Sequence, residues 1–149
     1  MAWAKGLYTA KNPHKYLGDL DKIIYRSSWE RSFFEFLDDN PHIINWASEP
    51  FPIPYMKPTM VNNKPTVKKA NYFPDLFVEY VDKEGNVHQE LLEIKPQKQT
   101  KPSRSKKATV KIQEDYAFAV NTAKWKAAKD WCKHNGMDFK IVTEKSIYL

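Results

Sequence analysis

Two carboxylates, Asp75 and Glu93, and one lysine, Lys95, stand at a spacing that suits metal-assisted phosphodiester chemistry. Residues 72–81 and 87–94 read as two strands around Asp82-Lys83-Glu84-Gly85-Asn86, where Gly85 suits the left-handed position of a three-residue hairpin loop. With Lys83-Glu84-Gly85 as the loop, Asp82 faces Asn86, and the same register carried outward sets Asp75 opposite Glu93. Opposed residues on one face have Cβ atoms about 4.5–5.5 Å apart, so the carboxylates meet, and Lys95, two residues on, shares their face. Like charges so placed repel unless a cation lies between them, and hard Mg²⁺ takes one or two carboxylates together with water and substrate phosphate. A cation there polarises a phosphate oxygen and acidifies water, while a lysine offsets developing charge. The competing reading is a solvated strand on which the two acids lie apart and Lys95 neutralises them.

Glu30 also has two readings. Ser27-Ser28-Trp29-Glu30 has the Ser-x-x-Glu form of a capping box, in which the glutamate only bonds the backbone of Ser27. In the other it joins Asp75 and Glu93. Alternative chemistries are poorly served. His14, His42, His88 and His134 form no zinc-binding pattern, Cys132 is the single cysteine, and the four glycines build no phosphate loop.

The elements that must position these residues follow from periodicity. Trp29, Phe33, Phe36 and Leu37 keep one helix face, and Asn40-Pro41 ends it. Residues 43–46 and 51–55 read as short extended pieces and 57–70 as a polar, lysine-bearing loop. Ile112, Tyr116, Ala119, Ala123, Ala127 and Trp131 predict a long helix closed by Gly136, with Trp125 and Trp131 in the core. Residues 139–142 form a last strand. Residues 1–24, with Trp3, Tyr8, Lys11, Lys15 and Tyr16 among turn signals, read as an irregular basic arm.

The chain has 149 residues, enough for one ordinary core, and 42% hydrophobic and 14% aromatic content argue for a packed single domain over 1–149. The formal charge of +6 favours a polyanion partner. From Lys95 to Gln113 there is no acid, and Lys98, Lys101, Arg104, Lys106, Lys107 and Lys111 are candidates for tracking DNA phosphates, with Arg26 counted alongside them. No apolar run of signal-peptide or membrane-span length occurs, so the expectation is a protein neither exported nor bound to a membrane.

Tyr72-Phe73-Pro74-Asp75 followed by Leu92-Glu93-Ile94-Lys95-Pro96, with a preceding glutamate helix at Tyr25-Arg26-Ser27-Ser28-Trp29-Glu30, resembles the PD-(D/E)xK nuclease motif. The order is similar to the branch containing the end-cleaving subunit of heteromeric transposases. Asn12-Pro13-His14-Lys15-Tyr16, Gly18-Asp19, Trp46 and Glu49 extend the likeness over nearly the whole chain, to the head completion nucleases of T-even-type tailed phages. That resemblance implies an α/β (α+β) restriction-endonuclease-like core, a central mixed sheet with a catalytic hairpin flanked by helices. It implies a Mg²⁺-dependent deoxyribonuclease, with Mn²⁺ able to substitute, acting on double-stranded DNA in head completion after packaging.

Carried over residue by residue, Asp75 and Glu93 would be metal ligands, Lys95 would position the nucleophilic water, and Glu30 would be a further acidic ligand or base. Gln113 and Tyr116 resemble a Gln-x-x-x-Tyr helix motif of some relatives but stand one residue too close, which leaves Gln113 as an additional candidate. The implied partners are DNA and phage head, portal or neck proteins, and the implied location is the host cytoplasm during assembly, with association to the virion. The alternative function is a non-enzymatic head or neck protein that grips DNA or the portal through the same basic surface.

Overall fold

The computed structural model describes residues 5–147. In chain order its elements are β1 (Gly6–Leu7), β2 (Ile24–Tyr25), α1 (Ser28–Asp39), β3 (Ile43–Ser48), β4 (Ile53–Val61), β5 (Lys64–Tyr72), β6 (Leu76–Val81), β7 (Val87–Ile94), α2 (Ala108–His134), β8 (Asp138–Val142) and α3 (Glu144–Ile147). Strands β3, β6, β7 and β8 form the central sheet in that order, antiparallel except for the parallel pair of β7 and β8. A parallel neighbour needs a long crossover, and α2 supplies it between β7 and β8. The fold is thus a mixed α+β sheet flanked by helices, as expected.

One face of the sheet packs on α1 and the N-terminal segment through Ile23, Phe34, Leu37, Trp46, Leu76 and Val78. The other packs on α2, where Leu91 meets Val120, Ala128 and Cys132 together with Ile53, Tyr55 and Tyr72. Small residues on that helix face, Ala123, Ala127 and Ala128, let it approach closely. Gly136, at φ +68°, closes α2 in the left-handed conformation, and the Met137 N–H reaches back to the Cys132 carbonyl at 2.9 Å, a Schellman closure.

The hairpin of β6 and β7 has the expected register, from Val81↔Val87 to Leu76↔Leu92, and Gly85 sits at φ +85°. Two readings need correction. Residues 57–70 are not a loop: β4 and β5 pair along their whole length, from Ile53↔Tyr72 to Val61↔Lys64, as a separate two-stranded ribbon. Its turn is Asn62-Asn63, both at positive φ (51° and 61°), the geometry of a tight hairpin turn that asparagine tolerates. Tyr72 therefore ends β5, and the hairpin strand begins at Leu76, after the fully buried Pro74.

The N-terminal segment is tied down. The Lys15 ammonium donates to the carbonyls of Leu37, Asp38 and Asn40, each at 2.8 Å, and so caps the C-terminus of α1. The buried Asp38 carboxylate accepts from the Tyr8 hydroxyl at 2.7 Å and from the Lys11 and Asn12 backbone at 2.7 and 3.0 Å. Trp3 lies outside the described residues.

Candidate active site

The ladder between β6 and β7 stops one pair before Asp75 and Glu93. Beyond it the Asp75 side chain turns onto the partner strand, where Oδ2 accepts from the Ile94 backbone N–H at 2.7 Å. The Asp75 carbonyl accepts from the Glu49 N–H at 3.0 Å, which closes the other side. Glu93 lies on β7, only 5% exposed, and its Oε2 accepts from the Tyr72 hydroxyl at 2.8 Å and from the Trp125 indole N–H at 3.3 Å. The two carboxyl groups lie against each other. Burial, and then Glu93, push the Asp75 carboxyl well above its ordinary range. In the absence of a cation such a pair holds a proton between its members.

This donor set fits a hard cation. Glu93 Oε2 and Asp75 Oδ2 are each fixed by protein donors, which orients the groups, while Glu93 Oε1 and Asp75 Oδ1 have no fixed N–H donor among the described residues. All the ligating atoms on offer are carboxylate oxygens, and one or two of these suffice for Mg²⁺. Among the described residues no three His, Cys, Asp or Glu side chains form a ready metal cage.

Glu30, in the first turn of α1, stands within electrostatic reach of Glu93 and Glu49 without closing such a cage. Ser27 caps the helix by accepting from the Glu30 N–H at 3.2 Å, so the serine half of the capping box forms. The Glu30 carboxyl is directed to the Arg26 backbone instead of Ser27, and burial raises its pKa.

Lys95 follows β7, its N–H bonded to the Val142 carbonyl at 3.0 Å, and its side chain makes no ion pair among the described residues. Lys124, on α2, is within reach of Glu93, Lys95, Lys57 and Asp75 and lies over the Tyr72 ring, 5.8 Å from its centre; burial lowers its pKa. Sequence reading assigns no role to Tyr72, Lys57 or Lys124 and gives Trp125 to the core. Trp125 is buried in the core, yet its indole N–H holds a site carboxylate. The only sequence signal for these contacts is weak: Lys124 and Trp125 precede the buried Ala128 and Cys132 by about one and two turns on the long helix.

Gln113 is not brought to the site. It is exposed on α2, three turns and on the order of 18 Å along the axis from Trp125.

Arg26 is engaged by Glu49, its Nε 3.1 Å from Oε1, which raises the guanidinium pKa further. Glu49 has φ 46°, a left-handed conformation uncommon for a glutamate. Lys98, Lys101, Arg104, Lys106 and Lys107 are exposed on the segment between β7 and α2, and Lys106 and Lys107 stand at the N-terminus of that helix, where its dipole adds to their charge. The segment is pinned by acids from elsewhere. Glu144 accepts from the Gln97 N–H at 3.0 Å, Asp115 from the Ser103 N–H at 3.3 Å, and Glu114 from the Ser103 hydroxyl at 3.1 Å. Lys111 pairs with Asp115 at 3.2 Å.

A family model described as TnsA-like endonuclease N terminal matches residues 40–144. The chain is also similar to the head completion nuclease of Enterobacteria phage T4, at 40% identity over 148 residues that cover 95% of this chain and 92% of the relative.

Proposed function

The chain belongs to the TnsA-like endonuclease family, and from that premise we propose that it is a Mg²⁺-dependent DNA nuclease that acts in phage head completion once DNA has been packaged. Its mixed sheet with a hairpin carrying two carboxylates is a restriction-endonuclease-like core. The observation that carries the reading is the contact between the Asp75 and Glu93 carboxyl groups, with Lys95 and Lys124 beside them. Two apposed carboxylates destabilise an apo protein that has no cation to receive, and a purely binding module has no use for them.

Asp75 and Glu93 would hold the cation, with Glu30 close enough to act through water. When bound, the ion supplies Lewis-acid polarisation of the phosphate and acidification of a water. The residues of the chain do the rest. Tyr72 and Trp125 fix the Glu93 carboxylate in one orientation, and the Ile94 N–H fixes that of Asp75. The Lys95 ammonium orients the attacking water and offsets the charge that develops on the phosphoryl oxygens. Mn²⁺ replaces Mg²⁺ in such an all-oxygen site. The protein would meet its substrate in the host cytoplasm during assembly, at the head, portal or neck.

The test is cleavage of a linear duplex with Mg²⁺, Mn²⁺ or EDTA, run on wild type and Lys95→Ala. Metal-dependent cleavage by wild type and none by the variant is expected. Equal cleavage by both, or cleavage in EDTA, would refute the assignment.

A further inference from the structure

The ribbon of β4 and β5 is not absorbed by the catalytic reading, and its chemistry is one-sided. Residues 50–74 contain no acid, and Lys57, Lys64, Lys68 and Lys69 all lie on the ribbon. Its register sorts them by face. Ile53↔Tyr72 and Tyr55↔Ala70 pack against α2, and the pairs in the same alternation further out are Lys57↔Lys68, Thr59↔Thr66 and Val61↔Lys64. Lys69, opposite Met56, is on the other face. The Tyr116 hydroxyl donates to the Pro58 carbonyl at 3.0 Å, so β4 is held along α2 as far as Lys57.

Two lysines directly opposite on one ribbon face repel, as two carboxylates do, unless a counter-charge lies between them. No acidic side chain pairs with Lys57 or Lys68 among the described residues. The nearest charged neighbours of Lys57 on α2 include another lysine, Lys124, which itself reaches toward Asp75 and Glu93. Positive charge thus runs from the carboxylate pair through Lys124 and Lys57 to Lys68 and, at the tip, Lys64. A two-stranded ribbon is also narrow enough to enter the major groove of duplex DNA.

We propose that the α2-facing side of the ribbon is a DNA-gripping arm, in which Lys57 and Lys68 clamp a backbone phosphate next to the one cleaved and Lys124 bridges the clamp to the catalytic carboxylates. This deepens the nuclease reading and rests on it for the position of the scissile bond, but the clamp itself is a binding claim. It needs no sequence contact, because phosphate contacts fix register and orientation without reading bases.

The test is fluorescence anisotropy of a labelled random-sequence duplex in EDTA, between about 50 and 200 mM salt. Lys57→Ala/Lys68→Ala should bind several-fold more weakly, with a log–log salt slope shallower by about 1–2, one to two lost phosphate contacts at about 0.9 each. Lys69→Ala, on the opposite face, should match wild type. With Mg²⁺ the double variant should raise KM and leave kcat nearly unchanged, since the contact is present in ground and transition states alike. Its melting temperature should equal or exceed that of wild type, because the lost charges repel each other.

A wild-type salt slope in the double variant would overturn the proposal. So would an equal effect of Lys69→Ala, which would make overall charge, not the sorted face, the determinant. If the wild type cleaves nothing with any divalent cation the nuclease reading fails, while the EDTA titration still decides the clamp.

Discussion

Tyr72→Phe isolates one atom of the site. The change keeps the buried ring, its packing with Ile53 and Leu91, and the face beneath Lys124, and removes only the hydroxyl that donates to Glu93 at 2.8 Å. The other donor to that oxygen, the Trp125 indole N–H, is 3.3 Å away, beyond the usual N–H···O range, so most of the donor strength rests with Tyr72. A hydrogen bond to a charged group contributes about 1.5–3 kcal/mol, and Glu93 is too buried for water to replace it freely. Urea unfolding in EDTA at neutral pH should therefore show a loss of about 1.5–3 kcal/mol. In a chain of this size that is a fall in Tm of about 3–12 °C. The loss should largely vanish in a Glu93→Gln background, giving a coupling of about 0.5–3 kcal/mol in the double-mutant cycle. Because the hydroxyl orients a metal ligand, Mg²⁺ affinity or turnover should also fall about 10–100-fold. A stability loss below about 0.5 kcal/mol, or one of the same size in both backgrounds, would refute the orienting role.

Lys95→Ala should abolish cleavage and change stability by no more than about 0.5 kcal/mol in denaturant melts, since the side chain has no fixed partner to lose. Replacing Lys101, Arg104, Lys106 and Lys107 by Ala should flatten the salt dependence of DNA binding, read by anisotropy, by about 0.9 per phosphate contact removed. Asp38→Ala should cost about 3–5 kcal/mol in urea unfolding, as it leaves the buried Lys15 ammonium without its neighbouring carboxylate. The two buried acids should act oppositely on pH-dependent stability. Burial opposes ionisation of Asp38, but the bonds from Tyr8, Lys11 and Asn12 outweigh it and lower the pKa, so its contribution is present above about pH 4 and lost on further acidification. Burial and Glu93 raise the Asp75 pKa, so in EDTA its contribution is full below about pH 4 and lost as pH rises through the raised value. Asp75→Asn should remove that decline from pH-dependent melting curves.

The catalytic hairpin is legible because its turn is local: Asp82, Gly85 and Asn86 fix a three-residue loop, and every pair beyond it is then counted, not inferred. The same logic exists for the ribbon at Asn62-Asn63, yet the strands beside that turn hide. Pro58 and Pro65 interrupt the expected pattern, which is tolerable because the ribbon has no third strand to pair with, and its outer half is exposed on both faces, so no apolar alternation marks it. The N-terminal segment hides for a related reason. Lys15 and Asp38 are ordinary surface residues by type, and only their meeting at the end of α1 makes both buried.

Charge is the property least readable along a sequence, because its partners are chosen in space. The acid-free stretch after Lys95 looks like uncompensated cation, but its backbone is held by Glu114, Asp115 and Glu144 from α2 and α3, and Arg26 is matched by Glu49 from the end of β3. The acid-free stretch before Asp75 reads as a plain loop, and there the ribbon leaves Lys57 and Lys68 opposite each other with no carboxylate between. Paired charge in the first case fixes a loop. Unpaired like charge, in the carboxylates as in the ribbon lysines, is a cost the folded chain recovers only from a ligand of opposite sign: a cation between Asp75 and Glu93, a phosphate between Lys57 and Lys68. A metal-bridged phosphodiester presents both charges side by side, so the two repelling pairs, joined by Lys124, are complementary to one substrate.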